Sequence, residues 1–387
     1  MKKLAIIFGT RPDTIKLAPV VLELRKYPQF FSIITIATAQ HRTMLDDVLS
    51  VFEIVPDHDL NVMTEQQSLS LLTQTLIVKL DEVLGKEKPD MVIVQGDTAT
   101  TFAASLTAFY HKIPVVHVEA GLRTRNKFYP FPEEIFRRLT SHTADIHCAP
   151  TLKAVKDLRN EGISKETIFC TGNTVIDALR IVLGRKHDVE NPVLRNLFAE
   201  EKKIVVITMH RRENWGEPMK EVCNAVRDLA NLSPDMHFVF PVHLNPVVRE
   251  VVTPILSGIT NVHLIEPLNY SDFAQLLSRS HFVISDSGGL QEEAPSLGVP
   301  VLVLREVTER PEAVTFGTVK LVGTDKVKIL QYALKLLRDK KFYNKMSRSV
   351  NPYGDGKASE RIVAALLHHF GYTKKRMKEF LPRGYQK

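Results

Sequence analysis

Three carboxylates in the first half of the chain have the type and placement that proton transfer requires. Asp97 and Glu119 each follow a short apolar run of the kind that forms a buried strand, and Glu133 opens a stretch with helical periodicity. Each of them alone is better explained as a helix cap or a salt-bridge partner. Together they suit general acid–base catalysis, because carboxylates crowded out of water have raised pKa values and exchange protons near neutrality.

A second set of residues suits the binding of a diphosphate. Residues 287–289, Ser-Gly-Gly, stand between a predicted strand and a helical run, where glycine lets the backbone approach a ligand and helix N–H groups attract an anion. This tripeptide alone also fits an ordinary strand–helix turn, and Glu293 also fits simple stabilisation of the helix dipole. Arg310 after the next strand, with Arg11 and Lys16 near the N-terminus, adds the cations that favour the diphosphate.

The sequence lacks the patterns of several other ligand classes. Neither GxxxxGKS nor GxGxxG occurs, so a Walker-type ATPase and a standard dinucleotide site lose support. His210 and His243 are potential metal ligands, but they have no HExxH or HxH spacing, and Cys148, Cys170 and Cys223 form no CxxC pair. We therefore expect no metal and no cofactor, and the scattered cysteines indicate a reducing, cytoplasmic location.

The elements that must position these residues alternate between short β-branched runs and longer amphipathic stretches, as in βα units around a parallel sheet. Strands are predicted at 4–8, 33–37, 91–94, 115–118 and 146–148, and again at 204–208, 238–240, 262–265, 282–285, 301–304 and 319–322. Six of them, three in each half, end in small or charged residues, and ligands bind beyond the carboxyl ends of such strands. We therefore predict an α/β protein of GT-B-like layout, with two Rossmann-like domains and the active site in the cleft between them.

The predicted division of the chain has four parts. An N-terminal Rossmann-like domain with the catalytic carboxylates covers 1–180, a charged linker region covers 181–203, and a C-terminal Rossmann-like domain that binds the nucleotide covers 204–356. Residues 357–387 form a final helix and a basic tail, which is expected either to stay solvated or to pack back on the first domain.

The net charge of +7 is concentrated in that tail, where residues 371–387 contain six Lys or Arg and one Glu, or +5. No DNA-binding or RNA-binding motif accompanies these cations, so we expect a solvated tail that is dispensable for activity, and no nucleic-acid partner. No apolar run reaches the ~18–20 residues that span a bilayer, and the N-terminal run 4–8 is shorter than the core of a signal peptide. We expect a cytoplasmic enzyme without a membrane partner.

Several motifs, taken together, resemble those of the non-hydrolysing UDP-N-acetylglucosamine 2-epimerases. They are GTRPDTIK at 9–16, QGDT at 95–98, HVEAGLRT at 117–124, PEE at 132–134, HRREN at 210–214, the run 285–300, TERPE at 308–312 and GTVKLVG at 317–323. The resemblance follows the chain in order to about residue 370. It implies a homodimer of GT-B fold that epimerises C2 of UDP-N-acetylglucosamine without nicotinamide or metal.

The resemblance also assigns roles to individual residues. It implies proton handling by Asp97, Glu119 and Glu133, and a histidine beside the diphosphate, His210. The implied UDP contacts are Arg11, Lys16, Ser287, Gly288, Gly289, Glu293 and Arg310, with Leu268 and Phe273 near the uracil. A possible effector site, where a second UDP-N-acetylglucosamine activates bacterial members, is implied at Gln40, His41, Gln67 and His243.

Some positions depart from the family pattern. Asp13 stands where Glu is usual, Arg125 replaces a common Gly, and Phe136 replaces a common Asn. Thr43 and Gln66 stand where members with the effector site often have Gln and Arg. The catalytic set is intact, so the departures affect the expected substrate detail and activation.

The implied chemistry explains why carboxylates and a diphosphate site belong together. The C2 proton of the sugar is not next to a carbonyl, so its simple abstraction would leave an unstabilised carbanion. Loss of UDP from C1 as the C2–H bond breaks gives a 2-acetamidoglucal instead, and re-addition after protonation on the opposite face completes the inversion.

The alternatives are a hydrolysing 2-epimerase that releases N-acetylmannosamine and UDP, a GT-B glycosyltransferase, and, more distantly, a nucleotide-sugar sensor. The expected product serves surface polysaccharide biosynthesis.

Overall fold

The computed structural model of the protein describes residues 1–38, 42–64, 67–200 and 202–382, and only the backbone of 42–44. It divides into two compact units. The first unit consists of Met1–Val182 together with Tyr353–Lys387, and the second consists of Leu183–Pro352. The second unit is therefore formed by one continuous segment, which is inserted between the two segments of the first unit.

The first unit is built on a parallel sheet, to which the described residues contribute seven strands in the order β3-β2-β1-β4-β5-β6-β7. They are β1 (Lys2–Phe8), β2 (Phe31–Ala37), β3 (His58–Asp59), β4 (Met91–Gln95), β5 (Val115–Val118), β6 (Ile146–Ala149) and β7 (Ile168–Cys170). All of β4 and β5 is buried, which is typical of central strands with helices on both faces. Since β1 pairs with β4 and β4 with β5, the residues that follow these strands are neighbours.

The second unit has the same architecture, with six parallel strands among its described residues in the order β10-β9-β8-β11-β12-β13. They are β8 (Lys203–Thr208), β9 (Met236–Pro241), β10 (Val262–Ile265), β11 (Ser280–Ser285), β12 (Val301–Val303) and β13 (Val319–Leu321). Strand β8 lies between β9 and β11, so the residues after these three strands again meet at one edge. The expected α/β class with two Rossmann-like sheets is confirmed.

Helices connect the strands of both sheets. Those up to the first crossing between units are α1 (Arg11–Leu24), α2 (Arg42–Phe52), α3 (Leu69–Glu87), α4 (Ala99–Tyr110), α5 (Glu133–Thr143), α6 (Leu152–Asn160) and α7 (Thr174–Gly184). The remainder are α8 (Pro192–Ala199), α9 (Glu217–Asn231), α10 (Pro246–Leu256), α11 (Tyr270–Ser278), α12 (Leu290–Ser296), α13 (Pro311–Phe316), α14 (Lys326–Arg338), α15 (Lys340–Ser347) and α16 (Ala358–His369). Among the described helices, none has the length and apolar character needed to cross a bilayer.

The segment 181–203, for which the sequence indicates a linker, contains the end of α7 and all of α8. The buried carboxylate of Asp272 in α11 accepts hydrogen bonds from the backbone N–H groups of Glu190 at 3.1 Å and Asn191 at 2.9 Å. His187 Nε2 lies 2.6 Å from the same carboxylate. These bonds attach the segment to the second unit.

The C-terminal tail packs against the first unit from residue 376 to residue 380. The Phe380 N–H donates to the carbonyl of Cys170 at 2.8 Å, and the Arg376 guanidinium donates to the carbonyl of Ile168 at 3.1 Å. Both carbonyls belong to β7, the last strand of its sheet, which has strand β6 on one side only. Phe380 is 5% exposed. The expectation of a wholly solvated tail is therefore wrong, because the tail supplies donors to an edge strand and buries an aromatic ring.

Candidate active site

Glu119 is the centre of the first polar cluster, at the carboxyl end of β5. Both of its carboxylate oxygens lie 2.6 Å from Lys16 Nζ on α1. The Gln95 side-chain amide, at the end of β4, donates to Oε2, and the Asn173 amide, just after β7, donates to Oε1 at 3.0 Å. Glu119 is 8% exposed. One cation and two neutral amides thus hold a nearly buried carboxylate in a fixed plane, which the order β1-β4-β5 makes possible.

The backbone around Glu119 is unusual as well. Glu119 has φ 63°, a left-handed conformation that is uncommon outside glycine and concentrates at functional sites. The buried His117, two residues earlier, has its Nε2 2.8 Å from the carbonyl of Gly96. Burial lowers the pKa of His117 to about 3, so the ring is neutral and its Nε2–H donates to that carbonyl. This hydrogen bond therefore holds the turn at Gly96 close to Glu119.

Asp97, directly after that turn, is paired with Arg137 of α5. Burial opposes the charge of Arg137, but Asp97, Glu134 and Glu119 outweigh it and raise the Arg137 pKa. Arg137 thus lies within the electrostatic reach of two of the expected proton-handling groups. The third, Glu133, is half-buried at the first position of α5, one helical turn before Arg137. No sequence motif singled out Arg137, although its position four residues after Glu133 places it on the same helix face.

Glu134 is a structural residue. Its fully buried carboxylate accepts the backbone N–H groups of Thr124 and Arg125, each at 3.1 Å, and lies 3.1 Å from Arg138 Nε. It therefore fixes the loop that follows the motif at 117–124 and, through Arg137 at 3.4 Å, the Asp97 ion pair.

Asp13 has a similar role in the first loop. Its carboxylate accepts the backbone N–H groups of Gly9 at 3.0 Å, Thr10 at 2.7 Å and Thr14 at 2.9 Å. Burial raises the pKa of Asp13 to about 6 against the effect of these donors. The shorter Asp, where Glu is usual in the resembled family, thus closes the loop that leads to Arg11, the first residue of α1.

In the second unit, Asp286 organises the loop after β8. Its fully buried carboxylate accepts the backbone N–H groups of His210 at 3.0 Å and Arg211 at 2.9 Å, and the side-chain amide of Asn214 at 3.1 Å. Burial opposes ionisation, but His210 and these donors outweigh it and lower the Asp286 pKa. His210 Nδ1 lies 3.2 Å from the carboxylate, while 43% of the His210 side chain is exposed. An ionised Asp286 therefore orients an accessible His210.

His243, which follows β9, stacks on His210 with ring centroids 6.0 Å apart. Burial and the neighbouring His210 lower the pKa of His243. The structure thus places His243, a residue of the expected effector set, beside His210, the histidine expected at the diphosphate. Gln67 lies two residues before α3 in the first unit, and Gln40 and His41 fall outside the described residues.

Arg310 lies against the glycine turn after β11. A Cβ atom on Gly288 would come within 2.5 Å of the Arg310 guanidinium, so the absence of a side chain permits this approach. Arg310 Nε lies 2.5 Å from Glu292 and its terminal nitrogen lies 2.7 Å from Glu309. Burial opposes the charge of Glu309, but Arg310 and Arg305 outweigh it and lower its pKa to about 2. An anion bound here would meet guanidinium groups already held in place.

The other expected nucleotide contacts surround this turn or precede α11. The Ser287 N–H donates to Ser285 Oγ at 2.9 Å, and a Cβ atom on Gly289 would lie 3.3 Å from the Glu293 carboxylate. Leu268 is 9% exposed in the loop between β10 and α11, and Phe273 lies in the first turn of α11. Ser287, Gly288, Gly289 and Glu293 are therefore grouped locally in the second unit.

The comparisons with known proteins agree on one family. The model of the UDP-N-acetylglucosamine 2-epimerase family matches residues 23–367. The UDP-N-acetylglucosamine 2-epimerase of Bacillus subtilis is 53% identical over 382 residues, which cover 98% of this chain and 99% of the relative. The crystal structure of UDP-GlcNAc 2-epimerase from Neisseria meningitidis bound to UDP-GlcNAc has a TM-score of 0.87 and 50% identity, covering 94% of this chain and 99% of that one.

A second solved structure, of S. aureus MnaA with UDP, has a TM-score of 0.90 and 47% identity, covering 98% of this chain and 100% of that one. The family match spans most of the chain, and the identities extend over nearly its full length. The chain belongs to the UDP-N-acetylglucosamine 2-epimerase family.

Proposed function

We propose that the protein is a non-hydrolysing 2-epimerase that interconverts UDP-N-acetylglucosamine and UDP-N-acetylmannosamine. The observation that carries this proposal is the Glu119 cluster, in which Lys16 and two amides hold a nearly buried carboxylate at the carboxyl edge of a parallel sheet. Asp97 follows the neighbouring strand. Related proteins bind UDP-GlcNAc or UDP in their solved structures, which supports the same substrate here.

The proposed reaction is an elimination followed by an addition. A carboxylate takes the C2 proton, and the electron pair of the C2–H bond forms a double bond between C1 and C2. The C1–O bond to UDP breaks at the same time, and its electron pair leaves with the diphosphate, which gives UDP and 2-acetamidoglucal. A second carboxyl group then delivers a proton to the opposite face of C2, and UDP adds again at C1. Asp97, Glu119 and Glu133 are the groups proposed for these transfers, each of a type that contributes roughly 10²–10⁴ in rate.

The second unit is proposed to bind the nucleotide. Arg310 and the glycine turn before α12 supply fixed cations and accessible backbone for the diphosphate, and His210 is oriented by Asp286. Charge builds up on the diphosphate as the C1–O bond breaks, so these preorganised groups stabilise the transition state more than the bound substrate. Arg11 is proposed to contribute from the first unit.

The experiment that tests this function is incubation with UDP-N-acetylglucosamine alone, followed by NMR. We expect the manno epimer to accumulate to a constant ratio with the substrate. Steady release of free N-acetylmannosamine and UDP would identify a hydrolysing enzyme instead. Absence of any turnover until a sugar acceptor is added would identify a glycosyltransferase.

UDP should stabilise the folded protein through Arg310. A ligand at about 100 times its Kd adds about 2.7 kcal/mol to the free energy of unfolding, so saturating UDP should raise the melting temperature by several degrees. Arg310→Ala should lose most of this increase. Arg227→Ala, on α9, is the matched control and should keep it. Equal melting curves with and without UDP in the unchanged protein would contradict a nucleotide site.

Activation by a second UDP-N-acetylglucosamine is proposed to be weak or absent in this chain. Gln67 and His243 match the family's effector residues, but Thr43 and Gln66 have replaced two long polar side chains. We expect a hyperbolic dependence of initial rate on substrate concentration. A strongly sigmoidal curve that Gln67→Ala makes hyperbolic would show that the effector site is intact.

The proposed biological setting is a cytoplasmic homodimer that supplies surface polysaccharide biosynthesis. Three buried free cysteines suit a reducing compartment. Phe109 and Tyr110 at the end of α4 are 59% and 61% exposed, and Leu139 on the adjacent α5 is 44% exposed. Exposed apolar side chains on two packed helices suit a subunit interface.

A further inference from the structure

Asn173 lies between the proposed catalytic carboxylate and the return of the chain into the first unit. It follows β7 at the carboxyl edge of the sheet and is 2% exposed. Its side-chain Nδ2 donates to Glu119 Oε1 at 3.0 Å, while its Oδ1 accepts the backbone N–H of Val175 at 3.1 Å. The Val175 bond fixes which end of the amide faces Glu119, so the contact to the carboxylate is made by a donor.

The backbone of Asn173 is held as firmly as its side chain. Its N–H donates to the carbonyl of Tyr353 at 2.6 Å, and Tyr353 is 1% exposed. A Cβ atom on Gly354 would lie 3.5 Å from the backbone nitrogen and from the carbonyl oxygen of Asn173. The amide therefore has little freedom to turn away from Glu119.

We propose that Asn173 is a positioning residue that fixes the carboxylate of Glu119 for proton transfer. The inference rests on the proposed epimerase function. Lys16 is long and cationic, and it is also expected to contact UDP, so its bond to Glu119 can be exchanged for one to the diphosphate. The amides of Asn173 and Gln95 are neutral and nearly buried, and they keep the carboxylate in its plane when Lys16 moves.

A purely structural role makes the opposite prediction for one substitution. Asn173 also accepts a hydrogen bond at the start of α7, and Asp serves that purpose as well as Asn does. Asn173→Asp therefore preserves the helix start but replaces the donor facing Glu119 with a second carboxylate. Like charges at this distance cannot both ionise readily.

The test compares Asn173→Asp and Asn173→Ser with the unchanged protein. We expect Asn173→Asp to lower kcat by at least about 10-fold at pH 7 and to move the acid limb of the kcat profile upward by about one pH unit or more, with KM little changed. Asn173→Ser keeps an acceptor for Val175 and adds no charge, so it should lower kcat by about 10-fold without shifting the profile as far. Asn191→Asp is the matched control, because Asn191 makes the same bond to the N–H of Val193 at 3.0 Å at the start of α8. It should retain activity.

A second measurement does not depend on turnover. The carboxyl carbon of Glu119 can be followed by NMR in protein with ¹³C-labelled glutamate, with Glu119→Gln identifying its signal. In Asn173→Asp the midpoint of this titration should move to higher pH by about one unit or more. If the unchanged protein fails to epimerise, the proposed function is wrong, while this titration still tests the contact. A normal kcat profile in folded Asn173→Asp, or an unmoved titration, would overturn the proposal.

Discussion

Turnover in D₂O should place deuterium at C2 of UDP-N-acetylmannosamine and of the UDP-N-acetylglucosamine recovered after equilibration. In the proposed reaction, one carboxylate takes the C2 proton and a second carboxyl group, whose own proton exchanges with solvent, protonates the opposite face of C2. A hydride mechanism through C3 or C4 would keep the original hydrogen at C2. Proton NMR of the C2 position, or the mass of the products, distinguishes the two. Retention of that hydrogen through many turnovers would overturn the mechanism.

The carboxylates should be indispensable to this exchange. Asp97→Asn, Glu119→Gln and Glu133→Gln keep the shape of each side chain and remove its ionisable group, so each should lower kcat by roughly 10² or more while UDP still binds. Glu87→Gln is a matched control, because Glu87 is paired with Lys3 outside the proposed site. It should be active.

These variants should also reveal the intermediate. Where elimination is slowed less than re-addition, UDP and 2-acetamidoglucal should escape slowly into solution, because a proton is no longer delivered efficiently to the opposite face of C2. Detection of the glucal by NMR would support the assignment. A variant with normal turnover would remove its residue from the proposed set.

The second large effect is expected at Phe380. Removal of a buried Phe side chain typically costs about 3–5 kcal/mol, and Phe380 is 5% exposed where the tail meets β7. Phe380→Ala should therefore lower the free energy of unfolding by about 3 kcal/mol. A Cβ atom on Gly172 would lie 3.6 Å from the Phe380 ring, so the loss should also loosen the segment that holds Asn173 and reduce kcat.

Leu381→Ser is the matched control for Phe380→Ala. Leu381 is the next residue but is 58% exposed, so its replacement should change stability little. Denaturant unfolding of both variants measures the difference. Equal stability of Phe380→Ala and the unchanged protein would show that the tail does not support the sheet.

The sequence was sufficient to predict eleven of the thirteen described strands and the residues at their ends. It missed β3 and β7, which have only two and three residues and so give no clear local pattern. Buried β-branched runs are local signals, so Asp97, Glu119 and His210 could be placed at strand ends before the structure was known. The residues that pair with them could not be predicted in this way. The pairing of Lys16 with Glu119 depends on β1, β4 and β5 being neighbours, and that order is not contained in any local pattern.

Two other features could not be decided from the sequence, for different physical reasons: the role of Arg137, and whether the tail stays solvated or packs back on the first domain. Arg137 joins Asp97 to Glu134 only because α5 packs beside the turn after β4, which helical periodicity alone does not specify. The packing of Phe380 depends on single hydrogen bonds to an edge strand, and residues 376–380 have neither a period of 2 nor one of 3.6. The net charge correctly indicates that this segment is basic, but it contains no information about the burial of the Phe380 ring.

The division of the first unit into two chain segments has a consequence for biosynthesis. Helix α16 packs on α1, and Tyr353 bonds to Asn173, so this unit lacks part of its core until residues 353–369 have been made. The second unit, Leu183–Pro352, is continuous and is complete earlier. Multidomain chains generally fold from the N-terminus as they are synthesised. In this chain, residues 1–182 lack the helix that covers α1 until α16 has been made, so we expect this part of the nascent chain to be the main binding site for a chaperone.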